Sequence, residues 1–506
     1  MSNEDAIRMM SEQVKSSLSL PDWTTVLATR PPPPTINLLF YADGAISFDG
    51  GFFGGLNQVI ATLQADLYPW VRFAITTVHR GEDPTADQNS LNLAQALALD
   101  DFDELWIYSV LDGPQLTASE LAAVDTFMNA RQGGVLITGD HNNLGAAFGN
   151  LPRAGKMRRL PAPPASPPFW NATIRPGADT IYDETDQMDS IAQPLRWLEI
   201  GIPPTITPHP VLSSPLGPID IFPDHEHEGE AVAPEPVSAT EWPGGVGAQV
   251  IAWGSVLNRP SGTINREIGL LSTYDGHIVD VGRILADSTW HHHFDINLRG
   301  NGSPGRTGFV DPGTANWLPE ARKIAYFFVN AAVWLAPPSK QSAMRAASMW
   351  STMFTDMIAE AASDMDDPMV FGRAVYNALG RIAPLGQQAE FIWSLVPDTV
   401  QAEHLSRAQR YPAPPLHYYV AGQAARSLIE QFNIDLRSPK PVEPPDLEAI
   451  SRAIDESVPM ALNKLVEDEA AFNQRFVQAL SKSTRKRPGL PPSTPDRQSP
   501  QSNRPR

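Results

Sequence analysis

The sequence predicts an α/β fold, because three observations along residues 35–338 agree. Short apolar runs of strand length recur, these runs lack regular polar alternation, and helix-length amphipathic stretches lie between them. Such strands are typical of a sheet that is buried on both sides. We therefore expect a parallel sheet with helices on both faces.

The first part of this unit contains four strand candidates. They are INLLFY (36–41), VRFAITTV (71–78), ELWIYSV (104–110) and GGVLITG (133–139). Helices are expected from about Leu56, over 90–98 and over 116–132. Thr117 and Glu120 have the spacing of a capping box, which places the start of the last of these helices.

A proline-rich stretch then interrupts the pattern from Gly149 to about residue 245. An irregular segment of this length inside a domain is typical of a functional insertion or lid. Strand patterns return at 248–255, 267–274 and 278–287, and a helix over 317–335 ends before Pro337.

The sequence divides into four regions. Residues 1–34 are expected to form a short helix and a proline linker, and 35–338 the α/β domain with an irregular insertion at about 150–245. Residues 339–480 carry Met, Ala and Leu at helical spacing and predict an all-α domain, a place where copies of the chain could associate. The basic, proline-rich residues 481–506 are expected to be disordered.

Composition excludes several classes of function. The chain has 506 residues, 38 of them basic and 57 acidic, and a net charge of -19, which argues against nucleic acid as the main partner. It has no cysteine, so disulfides, thiol nucleophiles and cysteine-ligated metals are excluded. No apolar run is long enough to span a bilayer, and the polar N-terminus lacks a signal-peptide pattern. We expect a cytoplasmic protein without a membrane partner.

Eight of the eleven histidines fall between residues 141 and 293, most of them beside carboxylates. They form three clusters: GDH (139–141), PDHEHEGE (223–230) and DSTWHHHFD (287–295). The first and third follow predicted strands, so they should emerge at the carboxyl edge of the sheet, where α/β folds bind ligands.

The second cluster offers metal-binding donors. If extended, it places His225 and His227 on one face, with Glu228 on the other. Imidazole and carboxylate groups suit zinc, manganese or iron. A solvated acidic loop is the alternative, and the sequence does not decide between them.

The third cluster leaves similar alternatives. In an extended segment, His291 and His293 point the same way, while the middle histidine would bond backbone or solvent. Asp287 ends a strand and would position a ligating imidazole. Metal ligation or acid–base catalysis is one interpretation, and a buried Asp–His network is the other.

The first cluster and the first turn add further candidates. Asp140 and His141 follow a strand, and Asn142 lies at a helix start that favours an anion, although Asp140 or Asn142 could simply cap the helix. Asp43 ends the first strand and would reach the cleft. The neighbouring glycines match no nucleotide-binding motif, and no G-x-S-x-G elbow supports a serine hydrolase.

One segment resembles a known family. Leu116, Thr117, Glu120, the Gly133–Gly134 pair and His141 resemble the trehalose-utilisation (ThuA-like) branch of the class I glutamine amidotransferase-like superfamily. The resemblance implies a flavodoxin-like parallel sheet over about residues 35–336 and an association with sugar metabolism. The superfamily's nucleophilic cysteine is missing, so glutaminase activity is excluded.

The sequence leads to an enzyme hypothesis and two alternatives. The first is a metal-dependent hydrolase of a small polar, carbohydrate-like substrate, in which a divalent Zn, Mn or Fe is bound at the sheet edge. Its metal ligands would be His141, His225, His227, and His291 or His293. Its catalytic carboxylates would be Asp140, Glu228 and Asp287, with Asp43 and Asn142 binding substrate. The alternatives are a non-catalytic ligand-binding or assembly module, and a carbohydrate-binding protein using Trp170, Trp197 and Trp242.

Overall fold

The structure is a computed structural model of the full chain. It describes residues 31–51, 54–108, 116–138, 151–159, 192–200, 207–223, 230–234, 236, 238–254, 267–288, 291–300, 308–309, 318–401, 404, 415–436 and 444–484. The expected N-terminal helix and residues 485–506 of the basic tail lie outside these residues, whereas residues 481–484 of that tail form the end of the last helix.

A ten-stranded sheet forms the centre of the described part, in the order β10-β7-β12-β13-β14-β5-β4-β1-β2-β3. Four short strands form two separate pairs, β6 with β11 and β8 with β9. The strands are β1 (Thr35–Ala42), β2 (Arg72–His79), β3 (Gln88–Asn89), β4 (Glu104–Tyr108), β5 (Gly134–Ile137), β6 (Arg158–Arg159), β7 (Ala192–Trp197), β8 (Ser213–Ser214), β9 (Gly217–Pro218), β10 (Ile221–Pro223), β11 (Glu230–Ala231), β12 (Gln249–Gly254), β13 (Ile268–Tyr274) and β14 (Ile284–Asp287).

The α/β class is confirmed, but only part of the sheet is parallel. Strands β2, β1, β4, β5 and β14 pair in parallel, as the apolar runs predicted, and the short polar strand β3, which was not predicted, pairs in parallel with β2. Strands β13, β12, β7 and β10 extend the sheet with antiparallel pairs. Strands β7 and β10 come from the proline-rich stretch, which therefore contributes to the sheet as well as interrupting the sequence pattern.

The helices follow the predicted succession, and a C-terminal helical region is present. The α-helices, numbered along the described chain, are α1 (Asn57–Gln64), α2 (Leu93–Leu97), α3 (Ala118–Ala130), α4 (Asp295–Leu298), α5 (Pro319–Leu335), α6 (Pro338–Thr352), α7 (Asp356–Glu360), α8 (Pro368–Leu379), α9 (Leu385–Trp393), α10 (Leu416–Gln431) and α11 (Leu447–Thr484). The predicted capping box at the start of α3 is confirmed, with Thr117 accepting from the Glu120 backbone and Glu120 from the Thr117 backbone. None of the described helices has the length and apolar character that crossing a membrane requires.

Each face of the sheet has its own apolar core. On one face, side chains such as Phe40, Trp106, Leu136 and Leu285 pack in a cluster that includes helices α1 and α5 and continues into the C-terminal helices. On the other face, the alternate residues of the same strands pack with α2 and α3. The period-2 alternation of each strand therefore decides which side chains reach which core.

A buried ion-pair network joins the sheet to the C-terminal helices. The Arg283 guanidinium donates to Asp275 at 2.8 Å, to Glu390 of α9 at 2.6 Å and to the Trp334 carbonyl of α5 at 3.0 Å. Because Arg283 directly precedes β14, this network lies at the amino edge of the parallel strands. It lies at the opposite end of β14 from the candidate functional site.

Candidate metal centre

Three polar side chains stand in a row at the carboxyl edge of the sheet. The register pairs Ile107 of β4 with Ile137 of β5, and Ile137 with Ala286 of β14. The next residue of each strand, Tyr108, Thr138 and Asp287, is therefore at the same level on neighbouring strands, which are about 4.8 Å apart. Alternation directs all three towards the face that α5 covers.

The chain then turns back over the end of β14. Residues His291–His293 form a single 3₁₀ turn, and α4 begins two residues later at Asp295. This turn brings two consecutive histidines to the carboxylate. The Nε2 atoms of His292 and His293 lie 2.8 Å and 3.2 Å from Oδ2 of Asp287.

Asp287, His292 and His293 form a group of donors that could hold a metal ion. One ligand atom from each residue lies within 4.8 Å of the other two, and all three side chains are fully buried. The Nδ1 atoms of both rings have no hydrogen-bond partner among the described residues. The group therefore combines two imidazoles and one carboxylate in a site shielded from water.

Aromatic rings enclose the two histidines. The ring of Phe222 in β10 stacks on His292 with 4.0 Å between centroids, and Phe327 of α5 meets His292 edge-on at 5.1 Å. The Tyr108 ring lies 5.5 Å from His293, also edge-on. These contacts fix the planes of the imidazoles and lower the local dielectric constant.

The protonation states of this group follow from burial and mutual charge. Burial acts to raise the pKa of the Asp287 carboxyl, but His292 and His293 outweigh it and lower that pKa to about 2. Burial, reinforced by His292, lowers the pKa of His293 to about 4. At neutral pH, Asp287 is a carboxylate and His293 is a neutral imidazole, the forms in which these side chains bind metals.

Two buried hydroxyl groups stand beside Asp287 at this edge. The hydroxyls of Tyr108 and Thr138 have no hydrogen-bond partner among the described residues. Burial raises the pKa of Tyr108 well above 10, and the charge of Asp287 adds to the effect. Tyr108 is therefore a protonated phenol that can donate a hydrogen bond.

A buried arginine ties the ends of β5 and β14 together. The guanidinium of Arg158 donates to the Thr138 carbonyl at 2.8 Å and to the Ser288 carbonyl at 3.2 Å. Arg158 lies in β6, whose partner β11 begins at Glu230, directly after the PDHEHEG residues. The strand that follows the second histidine cluster is thus anchored beside this edge.

A further carboxyl group beside the histidine turn has an unusual pKa. Asp295 is almost fully buried and accepts a hydrogen bond from the Gln58 backbone at 2.9 Å. Burial raises the pKa of Asp295 to about 7, and the charge of Asp49 adds to that rise. The sequence pattern included Asp295 in the third cluster, but no role was expected for it.

The structure brings together only some of the residues that the sequence predicted. Asp287 and His293 meet, as expected for the third cluster. The expectation that the middle histidine faces backbone or solvent is wrong, because His292 contacts Asp287. It rested on an extended segment, in which consecutive side chains point to opposite sides. A 3₁₀ turn separates them by only about 120°, which lets both His292 and His293 reach Asp287. The His291 side chain lies outside the described part.

Other predicted residues lie elsewhere or outside the description. Asp43 is buried at the end of β1, where its backbone N–H donates to the Tyr108 carbonyl at 3.3 Å. Trp242 is fully buried against Tyr274, and Trp197 is half-buried, which leaves little aromatic surface for a sugar. The predicted residues outside the described part are Asp140, His141, Asn142, Trp170, His225, His227 and Glu228.

Comparison with known proteins gives no relative: no family model, no curated protein and no solved structure matches the chain. Its function therefore has to be argued from the geometry of the site.

Proposed function

We propose that the protein is a metal-dependent hydrolase of a small polar substrate, with Asp287, His292 and His293 as metal ligands. The observation that carries this proposal is the convergence of two imidazoles and a carboxylate, all buried, at the carboxyl edge of the parallel strands. When bound, the metal would lower the pKa of a coordinated water and polarise the group to be cleaved.

The donor spacing fits a first-row divalent metal. Bonds of about 2.0–2.2 Å to N and O donors place neighbouring ligand atoms roughly 3 Å apart. The two Asp287–histidine distances, 2.8 Å and 3.2 Å, bracket this value. Two nitrogens and one oxygen suit Zn, Mn or Fe, and three protein ligands leave a position for water or substrate.

The strand order supports the flavodoxin-like arrangement that the ThuA-like resemblance implied. Among the major parallel strands, the order β2-β1-β4-β5-β14 corresponds to 2-1-3-4-5 in chain order. In such sheets ligands bind beyond the carboxyl ends, next to the point where the order reverses. Here that point lies between β1 and β4. Asp43 directly follows the last residue of β1, and Tyr108 is the last residue of β4.

Described residues next to or within each of the three histidine clusters lie at this edge of the sheet. Thr138 directly precedes the GDH cluster, and Phe222, which stacks on His292, lies two residues before Asp224 of the second cluster. On this basis we retain Asp140 and Glu228 as the proposed general bases, and His141, His225 and His227 as additional ligand candidates. Asp287 changes role, from positioning an imidazole to ligation.

The hydroxyls would give the substrate its orientation. Tyr108 can donate a hydrogen bond to a substrate oxygen, and Thr138 can donate or accept one. Buried hydroxyls without protein partners cost free energy unless a ligand or water satisfies them. A small substrate with several oxygen atoms, such as a carbohydrate derivative, matches this lining.

The alternative is a non-catalytic ligand-binding or assembly module. It is favoured by the short contacts between Asp287 and both imidazoles, which can be hydrogen bonds that hold the end of β14. The two proposals differ in whether the folded protein takes up a metal.

The test is metal content and metal affinity of tag-free protein. We expect near-stoichiometric Zn, Mn or Fe by mass spectrometry, or tight binding of added Zn²⁺ by calorimetry. His292→Gln and His293→Gln should each abolish metal binding. His277→Gln, which changes a histidine of the Arg283 network, is the matched control and should leave metal binding unchanged. Folded wild-type protein that neither contains nor binds metal would exclude the hydrolase proposal and favour the module.

A further inference from the structure

The second half of α11 projects away from the body of the protein. In its first half, Ile450, Ile454, Ala461 and Leu465 are buried, and the helix packs against α6 and α10. From residue 470 to residue 481 every side chain is exposed. A projecting helix of this length is marginal in water without tertiary contacts.

The projecting half carries an apolar stripe. Val466, Phe472, Phe476, Val477 and Leu480 are all at least half exposed, with Phe472 at 61% and Phe476 at 53%. Phe472 and Phe476 fall at the two core positions of a heptad pattern, and Val466 and Leu480 fall at one of its flanking positions. A stripe of this kind is an interaction surface rather than a solvated face.

Acidic residues stand directly before the projecting half. They are Glu467, Asp468 and Glu469, of which Asp468 pairs with Lys464 and accepts from the Tyr419 hydroxyl at 3.1 Å. A parallel second helix would place these acidic residues side by side. An antiparallel copy of the same helix keeps the two acidic ends apart.

We propose that the projecting half of α11 pairs antiparallel with the same segment of a second copy, which makes the protein a homodimer. A single register pairs the apolar positions, because the stripe is symmetric about residues 473 and 474. It packs Phe472 against Phe476 of the second copy and Val466 against Leu480. The same register brings the two Arg475 side chains together at the two-fold axis.

The dimer is tested on the full-length protein by sedimentation over a range of concentrations. We expect a reversible dimer in the micromolar range, as suits a small interface. Phe472→Glu with Phe476→Glu should raise the dissociation constant at least about tenfold. Gln474→Glu with Gln478→Glu adds the same charge to the opposite face and should leave it unchanged. A wild type that stays monomeric overturns the proposal, including one that instead binds lipid vesicles through this stripe.

Orientation has its own test, because the chain contains no cysteine and single cysteines can be introduced. In the antiparallel register, two copies of Asn473→Cys lie close to the axis and should be joined by a short bis-maleimide. Two copies of Ala479→Cys lie about 15 Å apart along the helices and should not be joined. Arg475→Gln should tighten the dimer several-fold, because it removes the repulsive pair. Efficient cross-linking at 479, or a dimer weakened by Arg475→Gln, overturns the antiparallel register.

Discussion

The Nε2 atom of His292 lies 2.8 Å from Oδ2 of Asp287, although the two residues are separated by a strand end and a turn. The contact depends on the 3₁₀ conformation of residues 291–293, because an extended chain would turn adjacent side chains to opposite sides. Asp287 is thereby shared between His292 and His293, within a wall of aromatic rings. A metal bound between them would link β14 to the turn that follows it.

Metal removal should therefore destabilise the fold. A ligand that binds only the folded state stabilises it by about 2.7 kcal/mol at one hundred times its dissociation constant. We expect chelation to lower the melting temperature of the wild type by several degrees, and added Zn²⁺ to restore it. His292→Gln should show neither change, whereas His277→Gln should behave like the wild type. An identical response in the wild type and His292→Gln would contradict metal binding at this centre.

The Tyr108→Phe variant tests whether the Tyr108 hydroxyl serves substrate binding or the stability of the fold. The Tyr108 hydroxyl has no partner among the described residues, so its removal should change the free energy of unfolding by less than about 0.5 kcal/mol or increase it. Metal content should also stay unchanged. Hydrolysis of a substrate found by screening should fall at least about tenfold, because the donor to the substrate is lost. A loss of stability above about 1 kcal/mol would instead mean that the hydroxyl supports the fold.

The sequence predicted those features of the fold that local patterns encode. Apolar runs located β1, β2, β4 and β5, and the capping box at Thr117 and Glu120 located the start of α3. Strand direction is not local, so the antiparallel pairing of β12 and β13 was not foreseen. Strands β7 and β10 were missed because prolines interrupt their short segments.

For the candidate site too, local sequence patterns predicted some features, and those set by long-range packing were not predicted. The third cluster was recognised because three consecutive histidines follow Asp287 at the end of a strand pattern. Its geometry was not predictable, because the choice between an extended segment and a 3₁₀ turn depends on packing against Phe222 and Phe327. The neighbouring hydroxyls of Tyr108 and Thr138 were not predicted, since they become neighbours only through the register of β4 and β5.

Acid should weaken the Arg283 network through two histidines. Burial lowers the pKa of both His209 and His277 to about 3, and the charge of Arg283 contributes, although Asp275 opposes it. In the unfolded chain both pKa values are near 6.5. The unfolded state therefore binds more protons below pH 6.5, so stability present above that pH is lost as pH falls towards 3.

The size of this effect can be measured by urea unfolding at pH 7 and pH 5. Asp275, the carboxylate of this network, stays ionised over that range because Arg283 outweighs its burial and lowers its pKa. Below the unfolded pKa of His209, the free energy of unfolding of the wild type should fall by up to about 1.4 kcal/mol per pH unit because of this fully buried histidine. A His209→Gln, His277→Gln variant should lose measurably less between the same two pH values. Equal losses in both proteins would show that these histidines do not govern the acid response.

Glu104 should produce the opposite pH dependence. Its side chain is fully buried at the start of β4, where one carboxyl oxygen accepts from Trp106 Nε1 at 2.8 Å. Burial raises its pKa well above 4.5, so the folded state favours the protonated acid. Its contribution to stability is full below the unfolded pKa and is lost as pH rises towards the folded value.

Glu104→Gln should therefore be stabilising at pH 7.5 by about 1 kcal/mol or more and near neutral at pH 4. Asp100→Asn removes a negative charge from the exposed surface nearby and should have little effect at either pH. Chemical unfolding of the three proteins at both pH values makes the comparison. A Glu104→Gln variant that is less stable at pH 7.5 would show that the carboxylate is charged and paired.

Two glycines allow helices α8 and α10 to pack closely. A Cβ atom on Gly372 would lie 1.8 Å from the Tyr418 carbonyl oxygen, and one on Gly422 would lie 2.0 Å from the Pro368 carbonyl oxygen. Neither neighbour can yield without moving a helix backbone. Gly372→Ala and Gly422→Ala should each destabilise by about 1–3 kcal/mol or more, despite the higher helix propensity of alanine.

The double variant distinguishes close packing from two independent effects. Once the first alanine has pushed α8 and α10 apart, the second meets less resistance, so the double variant should lose less than the sum of the single losses. Asn377→Ala, at an exposed position of α8, should stay within about 0.5 kcal/mol of the wild type. Additive losses in the double variant would mean that each helix accommodates its own alanine without separating from the other.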